Sequence, residues 1–345
     1  MPQDGGILAS KEMSTYQSLQ DIVSAAKTIV ILQADNPDGD SLGSSLALEA
    51  ILSEMGKAVH MVCAVNMPDY LKYLDGWSRV QKELPSQFDA TIIVDSSTET
   101  LFEYYEKDSN FAWIKSKPVI VIDHHVESSG ISFANVSVVE DAVATSEIIY
   151  KIARELNWPL PIDACEMMAV SIMSDSVGLM NDATTPTSIR VLADLVENGV
   201  SLAKLDDARR ALMRKDPSLI PFKGELLQRV AYACNGRLAT VVIEWREIER
   251  YSPLYNPTML VLDDMRLIVG VDVAIGYKRY RDGRITAKIR CNYGVPVAGE
   301  LAAAFGGGGH EYASGFKITD GRKLEDVQRE VALKTTELLD KIKGR

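Results

Sequence analysis

Thr28-Ile29-Val30-Ile31-Leu32-Gln33-Ala34-Asp35-Asn36-Pro37-Asp38-Gly39-Asp40-Ser41 is the most informative stretch of this chain. It opens on a short, β-branched apolar run. Such a run between polar flanks fits a parallel strand buried on both faces. Asn36 to Asp40 then carry turn chemistry. From Ser41 to Met55 apolar residues return at helical spacing, with small residues at the start. The stretch reads as strand, loop and helix, and Ser18 to Lys27 before it reads as helix.

The unit recurs downstream. Ala58 to Val65, Ala90-Thr91-Ile92-Ile93-Val94 and Pro118-Val119-Ile120-Val121-Ile122 read as strands, the last two ending at Asp95-Ser96-Ser97 and Asp123-His124-His125. Ala144 to Leu156 and Ile162 to Met173 read as helices. Strands alternating with helices specify an α/β fold with an open, mainly parallel sheet flanked by helices. Ligands of such sheets bind beyond the carboxyl ends of the strands, where all three polar clusters lie.

Beyond this the rhythm changes. Thr187 to Lys215 reads as helix broken at Asn198-Gly199, and Asp216-Pro217 and Ile220-Pro221 punctuate it. Leu238 to Trp245, the neighbourhood of Val261, Leu267 to Tyr277, Arg284 to Arg290 and Ala313 to Ile318 read as strands. Gly299 to Phe305 reads as a short helix, and Lys323 to Ile342 as a terminal amphipathic one. The expected organisation is a first domain over 1–190, a helical linker over 191–221 and a smaller α/β domain with a mixed sheet over 222–345, with a cleft between the domains.

Length and composition agree. A chain of 345 residues exceeds what one core usually organises. Its 46% hydrophobic and 25% charged residues are ordinary for a globular enzyme. The net charge of -11 argues against a binder of long duplex nucleic acid, which is normally basic. It leaves open a short polyanion met by bound cations, which reverse the local field. The 4 cysteines form no CxxC pair, so neither a zinc site nor a disulfide framework is expected. No run is long and apolar enough to span a membrane. The expectation is a cytoplasmic protein.

Four clusters carry chemistry. Asp38 and Asp40, two residues apart with Gly39 between them to turn the chain, offer oxygen ligands to hard cations. A polar turn capping the following helix would look the same. Asp95 closes one strand, and His124 and His125 close another; adjacent histidines there can divide metal binding and phosphate contact, or be plain loop residues. Asp175 follows an apolar helical run. Together these residues supply enough oxygen and nitrogen donors for a two-metal site. A fifth cluster, Gly306-Gly307-Gly308-Gly309-His310, exposes backbone N–H groups that can cradle an anion, unless it is a linker. Arg290, at the end of its strand, has the fork that clamps phosphate.

The ordered set Asn36-Pro37-Asp38-Gly39-Asp40-Ser41-Leu42-Gly43-Ser44, Asp95, Asp123-His124-His125 and Asp175 resembles the motifs of the DHH phosphoesterases. Gly306 to His310 resembles the signature of the DHH-associated domain, first subtype. Within the family the resemblance is to the bacterial oligoribonuclease and adenosine 3′,5′-bisphosphate phosphatase branch, also called nanoRNase. It implies a phosphodiesterase or phosphatase acting on short oligonucleotides and linear dinucleotides with two Mn2+ ions, Mg2+ or Co2+ being substitutes; a homodimer is left open. By motif position it implies that Asp38 binds a first metal and Asp40 a second, that Asp95 bridges both, that His124 and Asp175 complete the second, and that His125 contacts the scissile phosphate. Arg290, Gly306, Gly307, Gly308, Gly309 and His310 would hold the nucleotide. One position departs from the pattern: Ala34 stands where the family usually has a histidine ligand of the first metal, with Gln33 and Asp35 as neighbours able to substitute. The alternative readings are therefore a nucleotide-binding or regulatory protein with a weakened site, and a pyrophosphatase-like hydrolase.

Overall fold

A computed structural model describes residues 5–106 and 110–343. The chain divides into two compact units, Met1–Met213 and Arg214–Arg345. In the first unit the helices are α1 (Gly5–Ala25), α2 (Gly39–Glu54), α3 (Glu103–Glu106), α4 (Asn110–Lys115), α5 (Thr145–Glu155), α6 (Ile162–Asp175), α7 (Pro186–Glu197) and α8 (Leu202–Leu212). The strands are β1 (Thr28–Leu32), β2 (Ala58–Val62), β3 (Ala90–Val94), β4 (Val119–Asp123) and β5 (Val136–Val139). They form one sheet in the order β2-β1-β3-β4-β5, every pair parallel.

The continuous apolar runs follow from burial on both faces. Ile29 and Ile31 enter the core beneath α2, α5 and α6, whereas Val30 and Leu32 enter the opposite core with Phe102, Tyr105 and Phe111. The chain leaves β1 for β2 on one side and returns to β3 on the other. Loops after β1 and β3 therefore diverge and open a crevice, the switch point where ligands of doubly wound sheets bind.

The second unit contains α9 (Leu219–Gln228), α10 (Trp245–Tyr251), α11 (Leu262–Arg266), α12 (Ala298–Ala303) and α13 (Leu324–Lys343). Its strands are β6 (Ala231–Ala233), β7 (Leu238–Ile243), β8 (Val273–Arg279), β9 (Ile285–Cys291), β10 (Gly308–His310) and β11 (Ala313–Ile318). The sheet order is β10-β11-β9-β8-β7-β6, and only β7 and β8 run parallel, so the sheet is mixed as expected. Ile285, Ala287 and Ile289 pack with α12 and α13 on one face. Ala239, Val241, Ile243 and Ala274 pack with α9 and α11 on the other. That second cover stops at β8.

Two expectations are corrected. Val261 is not in a strand; Leu260, Val261 and Leu262 lead into α11 and are buried on all sides. A short apolar run cannot by itself be told from a buried helix segment. The strand expected from Leu267 begins only at Val273: Leu267 and Val269 are exposed and Gly270 takes a left-handed φ of 85°.

Candidate metal centre and anion-binding face

Asp40, Asp95, His124, His125 and Asp175 come together at the carboxyl ends of β3 and β4, the start of α2 and the end of α6, and Asp38 lines one cavity with Asp95, His124 and His125. His124 is the hub. Its Nδ1 meets the Ala142 carbonyl at 3.1 Å. Its Nε2 lies 3.3 Å from Asp175 Oδ2, 3.5 Å from Asp95 Oδ1 and 3.6 Å from Asp40 Oδ2. This nitrogen is buried yet hydrogen-bonds to none of them. A buried polar atom without a partner, facing three carboxylates, is what a cation bound among those donors leaves behind.

The electrostatics point the same way. Burial, then the charges of Asp40 and Asp38, pushes the Asp95 carboxyl well above the usual carboxylate range. Burial, then Asp40, pushes Asp175 up to about 6. Like charges gathered in a desolvated site are costly unless a cation neutralises them.

Other residues hold the donors still. Asp40 is fully buried; its Oδ1 accepts from Ser44 at 2.9 Å and from Ser171, and its Oδ2 accepts the Thr145 backbone N–H at 2.8 Å. Thr145 opens α5, so the positive end of that helix faces the carboxylates. Its hydroxyl also reaches Asp95 Oδ1 at 3.4 Å. Asp38 is the N-cap of α2, its Oδ1 accepting from the Asp40 and Ser41 N–H groups at 3.0 Å each, so the capping role is met by the same carboxylate. Asp123, to which the sequence assigned no role, is fully buried. It accepts from His125 Nδ1 at 2.7 Å and from Ser97. Burial alone would raise its pKa, but these hydrogen bonds hold it low, and the bond to Asp123 raises that of His125. Asp123 thus fixes the His125 ring with Nε2 left for a ligand.

Gly39 has a different reason from the one expected. It lies inside α2 and turns no corner; a Cβ there would lie 2.1 Å from Ser174 Oγ. Ala34 lines a cavity of about 560 Å³ with Asn36, Asp38, Asp95, His124 and His125. Gln33 and Asp35 do not line it, and Asp35 Oδ2 accepts the Tyr104 N–H at 3.2 Å.

In the second unit, Arg290, Gly306, Gly307, Gly308, Gly309 and His310 line one cavity of about 810 Å³. The glycine run is not a free loop. Gly306 and Gly307 donate their N–H groups to Ala303 and Ala302 at the end of α12, and Gly308 to His310 form the edge strand β10. A Cβ at Gly307 would meet the Gly315 carbonyl at 2.2 Å, so close backbone approach requires glycine there.

Comparison with known proteins finds relatives over most of the chain. Residues 28–172 match the model of the DHH family, N-terminal domain. The chain is 29% identical over 288 residues to the bifunctional oligoribonuclease and PAP phosphatase NrnA of Thermus thermophilus, covering 82% of each protein. It is 23% identical over 301 residues to the NrnA of Bacillus subtilis, covering 86% of this chain and 91% of that one. An exopolyphosphatase-related protein from Bacteroides fragilis superposes with a TM-score of 0.74 at 20% identity, over 95% of this chain and 98% of that one, which shows the shared fold.

Proposed function

We propose, from the premise that residues 28–172 are a DHH-family N-terminal domain, that the chain is a metal-dependent phosphoesterase. Its substrates are short oligonucleotides, linear dinucleotides and adenosine 3′,5′-bisphosphate. The observation that carries this reading is the buried, unpartnered His124 Nε2 facing the carboxylates of Asp40, Asp95 and Asp175. Relatives named as oligoribonuclease and PAP phosphatase over most of the chain support the substrate class. Four free cysteines support a reducing, cytoplasmic setting.

Asp40, Asp95, His124 and Asp175 would hold one divalent cation, such as manganese, and Asp38 with Asp95 would hold a second more weakly, because Ala34 adds only a methyl. Divalent cations there supply activation of water and neutralisation of charge on the phosphoryl oxygens. The residues do the rest. Asp95 would offer a carboxylate oxygen to either position. His125, oriented by Asp123, presents Nε2 to a phosphoryl oxygen and stabilises the charge that develops there. Ser44, Ser171 and Thr145 keep Asp40 in one rotamer, so the donor set is preorganised. Arg290, with the glycine edge and His310, holds a non-reacting phosphate in the second unit.

The test is a substrate panel in Mn2+: two-residue RNA, five-residue RNA, long RNA, adenosine 3′,5′-bisphosphate and pyrophosphate. Turnover concentrated on the short nucleotides is expected; preference for pyrophosphate or for long RNA would sink the reading. Ala34 at the cavity wall favours a second reading, a nucleotide-binding protein with a crippled centre. It predicts binding without turnover in the natural chain and restored turnover in Ala34→His.

A further inference from the structure

The face of the second sheet left bare beyond β8 carries more than the anion site at Arg290. Side chains on this face fall into three rows across the strands. The first is His310, Ala313, Arg290 and Ala274; the second Gly308, Gly315, Lys288 and Gly276; the third Lys317, Thr286 and Lys278. All but Ala274 line the same cavity. Rows are two residues apart, hence about 6.7 Å. That is comparable with the separation of successive phosphates along an extended strand.

Each row carries cation, and these cations are unspent. Elsewhere in this unit cations are neutralised: Lys223 pairs with Asp264 at 2.8 Å, Arg237 with Asp272 at 2.5 Å and Arg279 with Glu244 at 2.8 Å. Among the described residues, Lys278, Lys288, Arg290 and Lys317 form no ion pair. Burial, then the charge of Lys288, lowers the pKa of Lys278, the mark of two cations sharing a space without an anion. In a chain of net charge -11, so many free cations on one sheet face need a ligand. The floor suits one: Gly315 and Gly308 continue the row of Lys288 towards the sheet edge and leave backbone bare there, whereas Gly276 on the other side is covered by Thr258. At the wall, Asn256 offers its amide N–H groups to a base, and Tyr280 a ring with one face taken by the Arg284 guanidinium at 3.8 Å.

We propose that this face is a phosphate ladder for a short single-stranded oligonucleotide. Arg290 and the His310 edge take one phosphate, Lys288 takes the next, and Lys278 with Lys317 takes a third. The inference rests on the nucleotide reading above and extends it: the protein grips three consecutive phosphates, so its preferred ligand is longer than a dinucleotide.

The experiment is calorimetric titration of the full-length chain in EDTA, so that nothing is consumed, with oligoadenylates of two, three, four and five residues at several KCl concentrations. Affinity is expected to tighten by roughly two- to fivefold per added phosphate, the scale of exposed ion pairs, and to level off once three are engaged. The salt slope of log affinity for the five-residue strand should flatten by about 0.7 in Lys288→Gln and stay unchanged in the control Lys341→Gln on α13, the scale for one single-strand phosphate contact. Equal affinity for two and five residues, or an unchanged slope in Lys288→Gln with the fold intact by circular dichroism, would overturn the ladder while leaving dinucleotide hydrolysis standing. Inorganic tripolyphosphate displacing the five-residue strand at equal concentration would also overturn it, since the face would then read charge alone. If no oligonucleotide is bound or hydrolysed at all, the nucleotide reading itself fails.

Discussion

Asp95 holds a left-handed backbone at φ 56°, uncommon for any residue but glycine and least costly for Asp and Asn. It also bears a buried charge among like charges. Both features cost stability and are kept where they serve a function. Asp95→Asn keeps the backbone and removes the charge. Turnover should fall by more than about a hundredfold, the scale of losing one electrostatic anchor. In EDTA the first unit should melt roughly 2–4 °C higher, about 1 kcal/mol. Turnover within a few-fold of the natural chain would remove Asp95 from the centre. Asp175 makes a pH prediction. Its carboxyl, at about 6 when folded against 3.8 in the reference state, binds its proton more tightly in the native chain. Its stabilising contribution is therefore full below about pH 4 and is lost as pH rises through 6. In EDTA, the natural chain should lose more stability between pH 5 and 7.5 than Asp175→Asn does. Because cation and proton compete for this oxygen, Mn2+ affinity should climb with pH up to about 6 and then flatten. Affinity independent of pH across that window would count against the assignment. At this scale the donors were legible, since each ends or follows an apolar run that places it. Their supports were not: Ser171 meets Asp40 across 131 positions, and Asp123 looks like one more loop carboxylate until its burial is seen.

Between elements, the decisive contact is α2 against α6. Gly39 and Gly43 lie one turn apart on α2 and face Ser174, Met167 and Ser171 of α6, where a Cβ at Gly43 would come 2.9 Å from the Met167 carbonyl. The close crossing brings Asp40 under Ser171 and Asp38 near Asp175, so helix packing and donor placement are one property. Gly43→Ala should cost about 1–3 kcal/mol as an overpacked core does. It should also cost activity beyond that, because it separates Ser171 from Asp40 while touching no donor. Thermal melting and Mn2+ titration of this variant check both; full Mn2+ affinity at reduced stability would show that the crossing serves packing alone. Helical spacing and small residues made α2 legible, but not why the residues are small. A turn-forming glycine and a glycine of close approach look identical in sequence. β5, four residues long with an exposed member, gave too short a pattern to read, and Val261 was misassigned because an apolar triplet fits either period.

At the scale of the molecule, each unit has its own core on both faces of its own sheet, and α9 buries Leu219, Phe222 and Leu226 entirely within the second. The periodic runs made two sheets legible from the sequence; the uncovered half of the second sheet was not, because which strands a helix covers is set by register rather than by any local pattern. Independent cores imply separable folding, so residues 214–345 should fold alone, melt cooperatively and bind short oligonucleotides without hydrolysing them. On the function proposed above, residues 1–213 keep every proposed metal donor but lose Arg290 and the glycine edge proposed to bind a further phosphate. Their kcat/KM for a 5′-phosphorylated dinucleotide should fall by roughly a hundredfold or more, whereas that for bis-p-nitrophenyl phosphate, which has no phosphate besides the scissile one, should stay within a few-fold. Equal losses on both substrates would mean that the second unit supports the fold of the first. Equal retention on both would mean that nucleotide recognition resides wholly beside the metal centre.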